Sequence, residues 1–515
     1  MLKTIFTTPL YAAVLLSICP VCGGRSALEP DTGTAVTLTP AVPNIQNLIN
    51  SHPPGTVFTF EPGTYRLRSF QPKDGDQFIG KPGAVLNGSE QLTFQKAGPL
   101  WAAPMHDMSA EPVGGACETG EKNADGTKYT IGCDHGRELF RGDEIVHRVK
   151  TLQETRPGSW FFDQASHQVY IADDPAGHIL EIGEARTAIH GNAKDVVIRG
   201  LTIEKYANAA QSGSIACGEL VNGQRAPQNT GWVIEDNTLT LNHYSGLKLL
   251  FCPSAHIMNN KFVRNGNTGL DGVAADNTVV EGNEIAFNNY ASFARGWEAG
   301  GAKFVRTNNL TTTKNNVHDN NGMGLWCDIE CQGATYTNNT IDRNYGSGIL
   351  YEISRQAKIT GNISRLNGLE SLHSDPWAGD AQIEISASAD VTVEHNTAVA
   401  GNWGNGITVK QQNRGSGSYG PYWATRVVVD HNDITYLTSR STTTGASQDT
   451  GKFYGPISFD YDNYHEAQDG RGAHWRWNAI LNWKGFLAQG QEAHGTVDAA
   501  VSNADVALAA AVKVK

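Results

Sequence analysis

Asp328, Glu352 and Glu384 lie in the short segments GLWCDI, GILYEIS and AQIEIS, while Lys303 and Lys410 lie in the related segments GAKFV and GITVK. Read as strands whose side chains alternate, with Ile349 and Ile353 facing in, these segments present two outward columns. One column reads Val305, Asp328, Glu352, Glu384 and Lys410, and its neighbour reads Lys303, Trp326, Leu350, Gln382 and Thr408. Carboxylates stacked on adjacent strands repel one another. Such a column therefore needs a cation to neutralise it, or a carboxyl whose pKa is raised so that it can donate a proton. The reading without chemistry is a solvated acidic stripe offset by Lys303 and Lys410. Adjacent strands set Asp328 and Glu352, or Glu352 and Glu384, about 4.8 Å apart, near the separation of a retaining glycosidase. Asp328 and Glu384, two strands apart at about 9.6 Å, approach the inverting range.

Two insertions, YASFARGWEAG and LESLHSDPWAGD, precede strands of this set at the same corner and carry Arg295, Trp297, Glu298, His373, Asp375 and Trp377. Three strands separate them, on the order of 14 Å, so they wall a cleft in which Lys303 and Trp326 are expected to be exposed. Trp297, Trp326, Trp377 and Trp403 supply the flat apolar faces on which sugar rings stack.

The elements that position these residues follow from a repeat. The unit V-x-x-x-N-x-I-x-x-N, a turn, then G-I/L and a second apolar strand recurs through the middle of the chain. Its first asparagine falls at Asn237, Asn260, Asn283, Asn315, Asn339, Asn362, Asn396 and Asn432. A second falls at Asn242, Asn265, Asn288, Asn320, Asn344 and Asn367. Short alternating strands with a turn between each cannot bury their faces alone, but stacked they enclose one core. The repeat predicts an all-β fold, a right-handed parallel β-helix with coils of about 23 residues, with the asparagines hydrogen-bonded from coil to coil.

The segment IQNLINSH predicts a short amphipathic helix that plugs the first coil and protects its edge. The chain divides into a secretory signal and processing region (1–27), plug and first coils (28–97), a β-rich insertion (98–187), the β-helix (188–440) and a C-terminal cap and tail (441–515). A lysine ahead of a short apolar run in LKTIFTTPLYAAVLLSI has the order of an export signal and is short for a membrane span. Export to the periplasm or the extracellular space is expected. If Cys19 and Cys22 are removed, six cysteines remain, which in an exported chain favours disulfides over a thiolate metal site; Cys117 pairs with Cys133, and the other pairings stay open.

The formal charge of −12, with no basic cluster, argues against nucleic acid as a partner. An acidic polymer would need a local cationic groove or a bound metal ion. The chain is expected to act as a monomer on a polysaccharide, an acidic one included.

The repeat, the helical plug and the groove over one sheet resemble the pectate-lyase-like superfamily of secreted right-handed β-helix proteins, many of which cleave or modify polysaccharides. The resemblance covers about residues 40–95 and 190–440. The polygalacturonase D-D and G-H-G elements are missing, as is the D-P-H-D of mannuronan epimerases; HSDP at His373 to Pro376 is only loosely similar. Members of the superfamily often use calcium to neutralise a uronate and a Lys or Arg as base. The resemblance therefore implies a uronate-glycan lyase with Asp328, Glu352 and Glu384 as calcium ligands. Lys303 would be its base, Arg295 or His373 would stabilise charge or donate the proton, and Glu352 would share in catalysis. Trp297, Glu298, Trp326, Asp375, Trp377 and Lys410 would bind substrate. A glycoside hydrolase using paired carboxylates is the second reading, and a non-catalytic glycan-binding or adhesion protein the third.

Overall fold

The computed structural model describes residues 35–105, 115–118, 133–221, 224–225, 230–369, 379–401, 404–438, 442–466 and 470–511. Each coil gives one strand to each of three long sheets, of 13, 13 and 12 strands among the described residues. Neighbouring coils pair in parallel. Thr312, Tyr336 and Ile359 align in the first sheet, Val317, Ile341 and Ser364 in the second, and Leu325, Ile349 and Ile383 in the third. The fold is a right-handed parallel β-helix.

Alternation along each strand turns every second residue into an enclosed stack. Leu325, Ile349, Ile383 and Ile407 form one file and Cys327, Tyr351, Ile385 and Val409 another, all at most 1% exposed. Each such side chain contributes roughly 2 kcal/mol by leaving water.

Both asparagine series form continuous ladders. In the first, Nδ2 of each residue donates to Oδ1 of the next from Asn237 to Asn432, at 2.9–3.0 Å, and Asn432 donates to Asp462 Oδ1. In the second, Asn242 leads through Asn265, Asn288, Asn320, Asn344 and Asn367 to Gln382 Oε1. The residue before a ladder asparagine turns the chain: Asn338 has φ 56° and Arg343 φ 53°. That left-handed geometry is unfavourable for a side-chain-bearing residue, and the amide bonds one residue later hold it. The ladder also explains the glycine at the start of the third-sheet strands. A Cβ at Gly348 would lie 2.8 Å from Asn367 Nδ2, so the backbone must stay bare there.

The plug is the helix Ile45–Ser51, started by Asn44, whose side chain accepts from Asn47 N, and anchored by buried Ile45 and Ile49. A separate eight-stranded sheet, from Ser89–Gln91 to Leu180–Gly183, interrupts the coils and packs its own core around Leu139, Trp160, Val169 and Ile182. Disulfides join Cys117 to Cys133, Cys217 to Cys252 and Cys327 to Cys331. Among the described residues no helix is long and apolar enough to cross a membrane. The export signal expected at residues 1–27 lies outside the described residues.

One register differs from the sequence reading. Glu384 pairs with Leu350, and Ser386 pairs with Glu352. The true columns are Lys303, Trp326, Leu350, Glu384 and Thr408 in one, and Val305, Asp328, Glu352, Ser386 and Lys410 in the other. The cause is Gln382, which stands opposite the glycine of the preceding coil. Its amide enters the second ladder, accepting from the Asn367 backbone N–H and Nδ2 at 3.0 Å each. A shift of two residues preserves alternation, so periodicity could not detect it.

Candidate active site over the third sheet

The outward face of the third sheet carries the candidate residues. Strands Gly300–Val305, Met323–Asp328 and Ile349–Glu352 place Lys303, Trp326, Asp328 and Glu352 on three successive coils. The pairing Cys327 with Tyr351 carries Asp328 and Glu352 one residue further, to neighbouring outward positions. Lys303 Nζ lies 2.9 Å from Asp328 Oδ2, donates to the Trp297 carbonyl at 2.6 Å and sits 3.4 Å from the Trp326 ring centroid. Glu352 is held by Arg414, which arrives from a hairpin two coils on. Burial and the adjacent Asp328 charge raise the Glu352 pKa, more than Arg414 lowers it. Asp328 Oδ1 and the Trp326 indole N–H are buried and make no hydrogen bond among the described residues.

The expected exposure of this face does not hold. Lys303 is 7% exposed and Trp326 is 4% exposed. An ammonium lying over the indole and bonded to carboxylate and carbonyl keeps water from both.

The expected stack of three carboxylates does not form. Glu384 belongs to the other column, where Ser347 Oγ donates to it at 2.6 Å and Lys410 Nζ lies 3.9 Å away. Each of the three proposed calcium ligands thus has its own cation: Lys303 for Asp328, Arg414 for Glu352 and Lys410 for Glu384. Among the described residues, no group of three or more His, Cys, Asp or Glu side chains converges in a way that would hold a metal. These residues do not fit a calcium site.

The loop with Arg295, Trp297 and Glu298 is built into the body of the protein. The residues at the Cys117–Cys133 disulfide lie against it: Ala294 N donates to Ala116 O at 2.8 Å and Cys133 N to Ala291 O at 2.9 Å. Arg295 binds Asn321 Oδ1 at 3.0 Å and lies 4.1 Å from the Tyr345 ring, so it ties its loop to the same corner of the next two coils. Trp297 is half-buried against Phe293 and Tyr244, and its carbonyl anchors Lys303. His373, Asp375, Trp377 and Trp403 lie outside the described residues.

Glu298 reaches a cluster that the sequence reading missed. Tyr244 OH donates to Glu298, Lys248 Nζ lies 3.9 Å from Glu298 Oε1 and pairs with Asp271, and Ser245 Oγ donates to Asp271 Oδ2 at 2.7 Å. Burial, then the Asp271 charge, raises the Glu298 pKa. Burial lowers the Lys248 pKa, but Asp271 and Glu298 outweigh it and the net shift is upward. Lys248 and Asp271 continue the Lys303 column by two coils, so opposite charges alternate along it. The segments GLKLL and GLDGV carried that signal, since they occupy the place of GAKFV in earlier coils.

A family described as right handed beta helix region matches residues 221–398. No curated protein matches the chain. Among solved structures, the complex of XylC with xylose is similar at a TM-score of 0.62 and 14% identity, covering 89% of this chain and 83% of that one. A structure described as a glycoside hydrolase gives a TM-score of 0.47 at 11% identity, covering 82% and 96%. The A-module of the Azotobacter vinelandii mannuronan C-5 epimerase AlgE6 gives 0.42 at 14% identity, covering 88% and 92%. At these identities the likeness is one of fold.

Proposed function

We propose that this protein is an exported glycoside hydrolase that cleaves with retention of configuration, using Glu352 as acid and base and Asp328 as nucleophile. The observation that carries this reading is the pair itself. Two carboxylates stand at the same outward position of adjacent coils, whose backbones are about 4.8 Å apart, near the separation of the carboxyl groups in a retaining pair. Their environments differ. Glu352 is buried with its pKa raised, as a proton donor needs, whereas Asp328 has one oxygen held by Lys303 and the other without a partner.

In the first step Glu352 gives its proton to the glycosidic oxygen while Asp328 Oδ1 attacks the anomeric carbon, breaking the bond to the leaving sugar. In the second, Glu352 takes a proton from water, which attacks the same carbon and releases Asp328. Lys303 fixes the Asp328 carboxylate in place throughout. The disulfides support export, since they persist in oxidising compartments.

A uronate lyase would require Lys303 to leave Asp328 and the Trp297 carbonyl before it could take a proton, and the three carboxylates to regroup around calcium. Hydrolysis by the pair needs neither change, only the uncovering of Asp328 Oδ1, which is buried here. The test is a panel of polysaccharides and oligosaccharides, with xylose polymers included because the similar XylC structure contains xylose. New reducing ends with the original anomeric configuration, formed equally well in the presence of a chelator, are the expected result. Unsaturated products that vanish with the chelator would establish the lyase instead, and glycan retention without new chain ends would establish a binding protein.

A further inference from the structure

We infer that the hollow beneath the hairpin at residues 412–424 is an accessory subsite for one pyranose ring of the glycan, a choice of ligand that rests on the hydrolase reading. After strand Asn405–Gln411 the chain leaves the coil path and folds back over earlier coils. Arg414 bonds Glu352, the Ser418 backbone N–H donates to Glu330, and the Tyr419 ring lies 4.1 Å from the Arg355 guanidinium. Gln411 pins the base of the hairpin, accepting from Ala424 N at 2.6 Å and donating to the Gln412 carbonyl at 2.8 Å. The hairpin is therefore a fixed strap whose contacts span three coils.

The strap encloses a hollow of about 180 Å³, room for a single sugar ring, lined in part by Arg355, Asp390, Tyr419, Tyr422, Trp423 and Arg426. Trp423 stacks on Tyr454 with centroids 4.6 Å apart and planes 8° from parallel, yet remains 40% exposed. A rigid, exposed indole backed by a second ring is a platform for the C–H face of a pyranose. Planar polar groups stand beside it. Arg426 pairs with Asp390, with Nη2 to Oδ2 at 2.9 Å, and Arg355 holds Gln332 Oε1 at 3.1 and 2.7 Å. An ion-paired carboxylate keeps acceptor lone pairs, and a guanidinium has five N–H donors, so both have capacity for vicinal hydroxyls. One aromatic face with a few convergent polar groups is the make-up of a small-ligand site.

The hollow adjoins the proposed catalytic pair. The strap that supplies Arg414 to the Glu352 carboxylate also supplies Tyr419, Tyr422 and Trp423 to the wall of the hollow. A short oligosaccharide bound across Glu352 and Asp328 can therefore place a further ring against Trp423.

Affinity electrophoresis of the full chain through gels holding xylan, glucomannan or polygalacturonate tests this without requiring turnover. The expected result is retardation of the wild type by a neutral polymer, weakened about fivefold in Trp423→Ala, the scale of one lost aromatic contact, and weakened again in Asp390→Asn. Both positions are partly exposed, and unchanged melting temperatures confirm that the variants are folded. Equal retardation of wild type and variants, no retardation in any gel, or retardation confined to polygalacturonate and abolished by salt overturns the subsite. Where substrates are turned over, Trp423→Ala should raise KM for long oligosaccharides far more than KM for aryl monosaccharides. Retardation that depends on Trp423 without turnover of any glycan would sink the hydrolase reading and keep the subsite; turnover with unaltered retardation would do the reverse.

Discussion

Asp328 and Glu352 stand side by side on adjacent coils, and each is held by a different cation, Lys303 for the first and Arg414 for the second. Adjacent like charges weaken a sheet, and here each carboxylate receives its counter-charge from a different element. Lys303 comes from the preceding coil and Arg414 from the strap, so the two oxygen pairs are oriented independently.

Replacing Glu352 with Gln keeps its shape and removes the transferable proton. Activity on unactivated glycans should fall on the order of a hundredfold or more. Aryl glycosides with good leaving groups should suffer far less in the bond-breaking step. Asp328→Ala should be more damaging, and azide, filling the space of the lost carboxylate, should restore turnover as a glycosyl azide of inverted configuration. Wild-type rates in either variant would eliminate the pair as the catalytic centre.

Arg414 predicts the pH behaviour. The Glu352 pKa is raised by burial and by Asp328, and Arg414 opposes that rise. Glu352 must be protonated to act, so the alkaline limb of kcat/KM reports its ionisation. Removing the guanidinium in Arg414→Ala takes away the opposing influence, and the limb should move to higher pH. A purely structural role for Arg414 would lower activity or stability without moving the limb, so an unshifted profile rejects the coupling.

The coil fold was legible because the ladder asparagines are buried, identical in role and spaced by the length of a coil, so sequence recurrence reports spatial stacking directly. All fourteen asparagines named from the sequence sit on the two ladders, from Asn237 to Asn432 and from Asn242 to Asn367. The site was less legible for two physical reasons. Gln382 does the work of an asparagine from a position where the other coils have glycine, which slid Glu384 by two residues without disturbing alternation. Arg414, Tyr244, Ala116 and Cys133 reach the site or its loop through folding across many residues, and no local period encodes such contacts.

The ladder itself is testable at Asn339. Its Nδ2 donates to Asn362 Oδ1 at 2.9 Å and to the Thr312 carbonyl at 3.0 Å, and its Oδ1 accepts from both nitrogens of Asn315. Asn339→Leu removes these bonds and leaves buried partners unsatisfied, at a cost on the order of 3 kcal/mol. Denaturant unfolding should show this as a lower midpoint, and an unchanged midpoint would mean that the ladder adds no stability.

The end of the first ladder makes a stability prediction of opposite kind. Asp462 occupies the ninth ladder position, where its Oδ1 accepts from Asn432 N at 2.7 Å and Asn432 Nδ2 at 2.9 Å. As a carboxyl it has no amide to pass on, and it meets Glu492, whose Oε2 accepts from Asp462 N at 3.3 Å and whose Oε1 accepts from Tyr464 OH at 2.8 Å. Both acids are essentially fully buried. Burial pushes Asp462 up to about 6, and burial together with the Asp462 charge pushes Glu492 up to about 9. Both folded values exceed the ordinary carboxylate value of about 4, so the folded state holds protons that the unfolded chain releases. The stability those protons contribute is full below about pH 4 and is lost as pH rises through the two folded values. Glu492→Gln substitutes a neutral amide that can donate to Asp462 at any pH. At about pH 5 its melting temperature should lie near that of the wild type, and by about pH 9 the variant should be clearly the more stable, because it has no second charge to bury. Because every other titration is common to both proteins, the difference between the two melting curves isolates this pair. Curves that stay parallel from pH 5 to pH 9 would show that Asp462 and Glu492 share no proton in the folded protein.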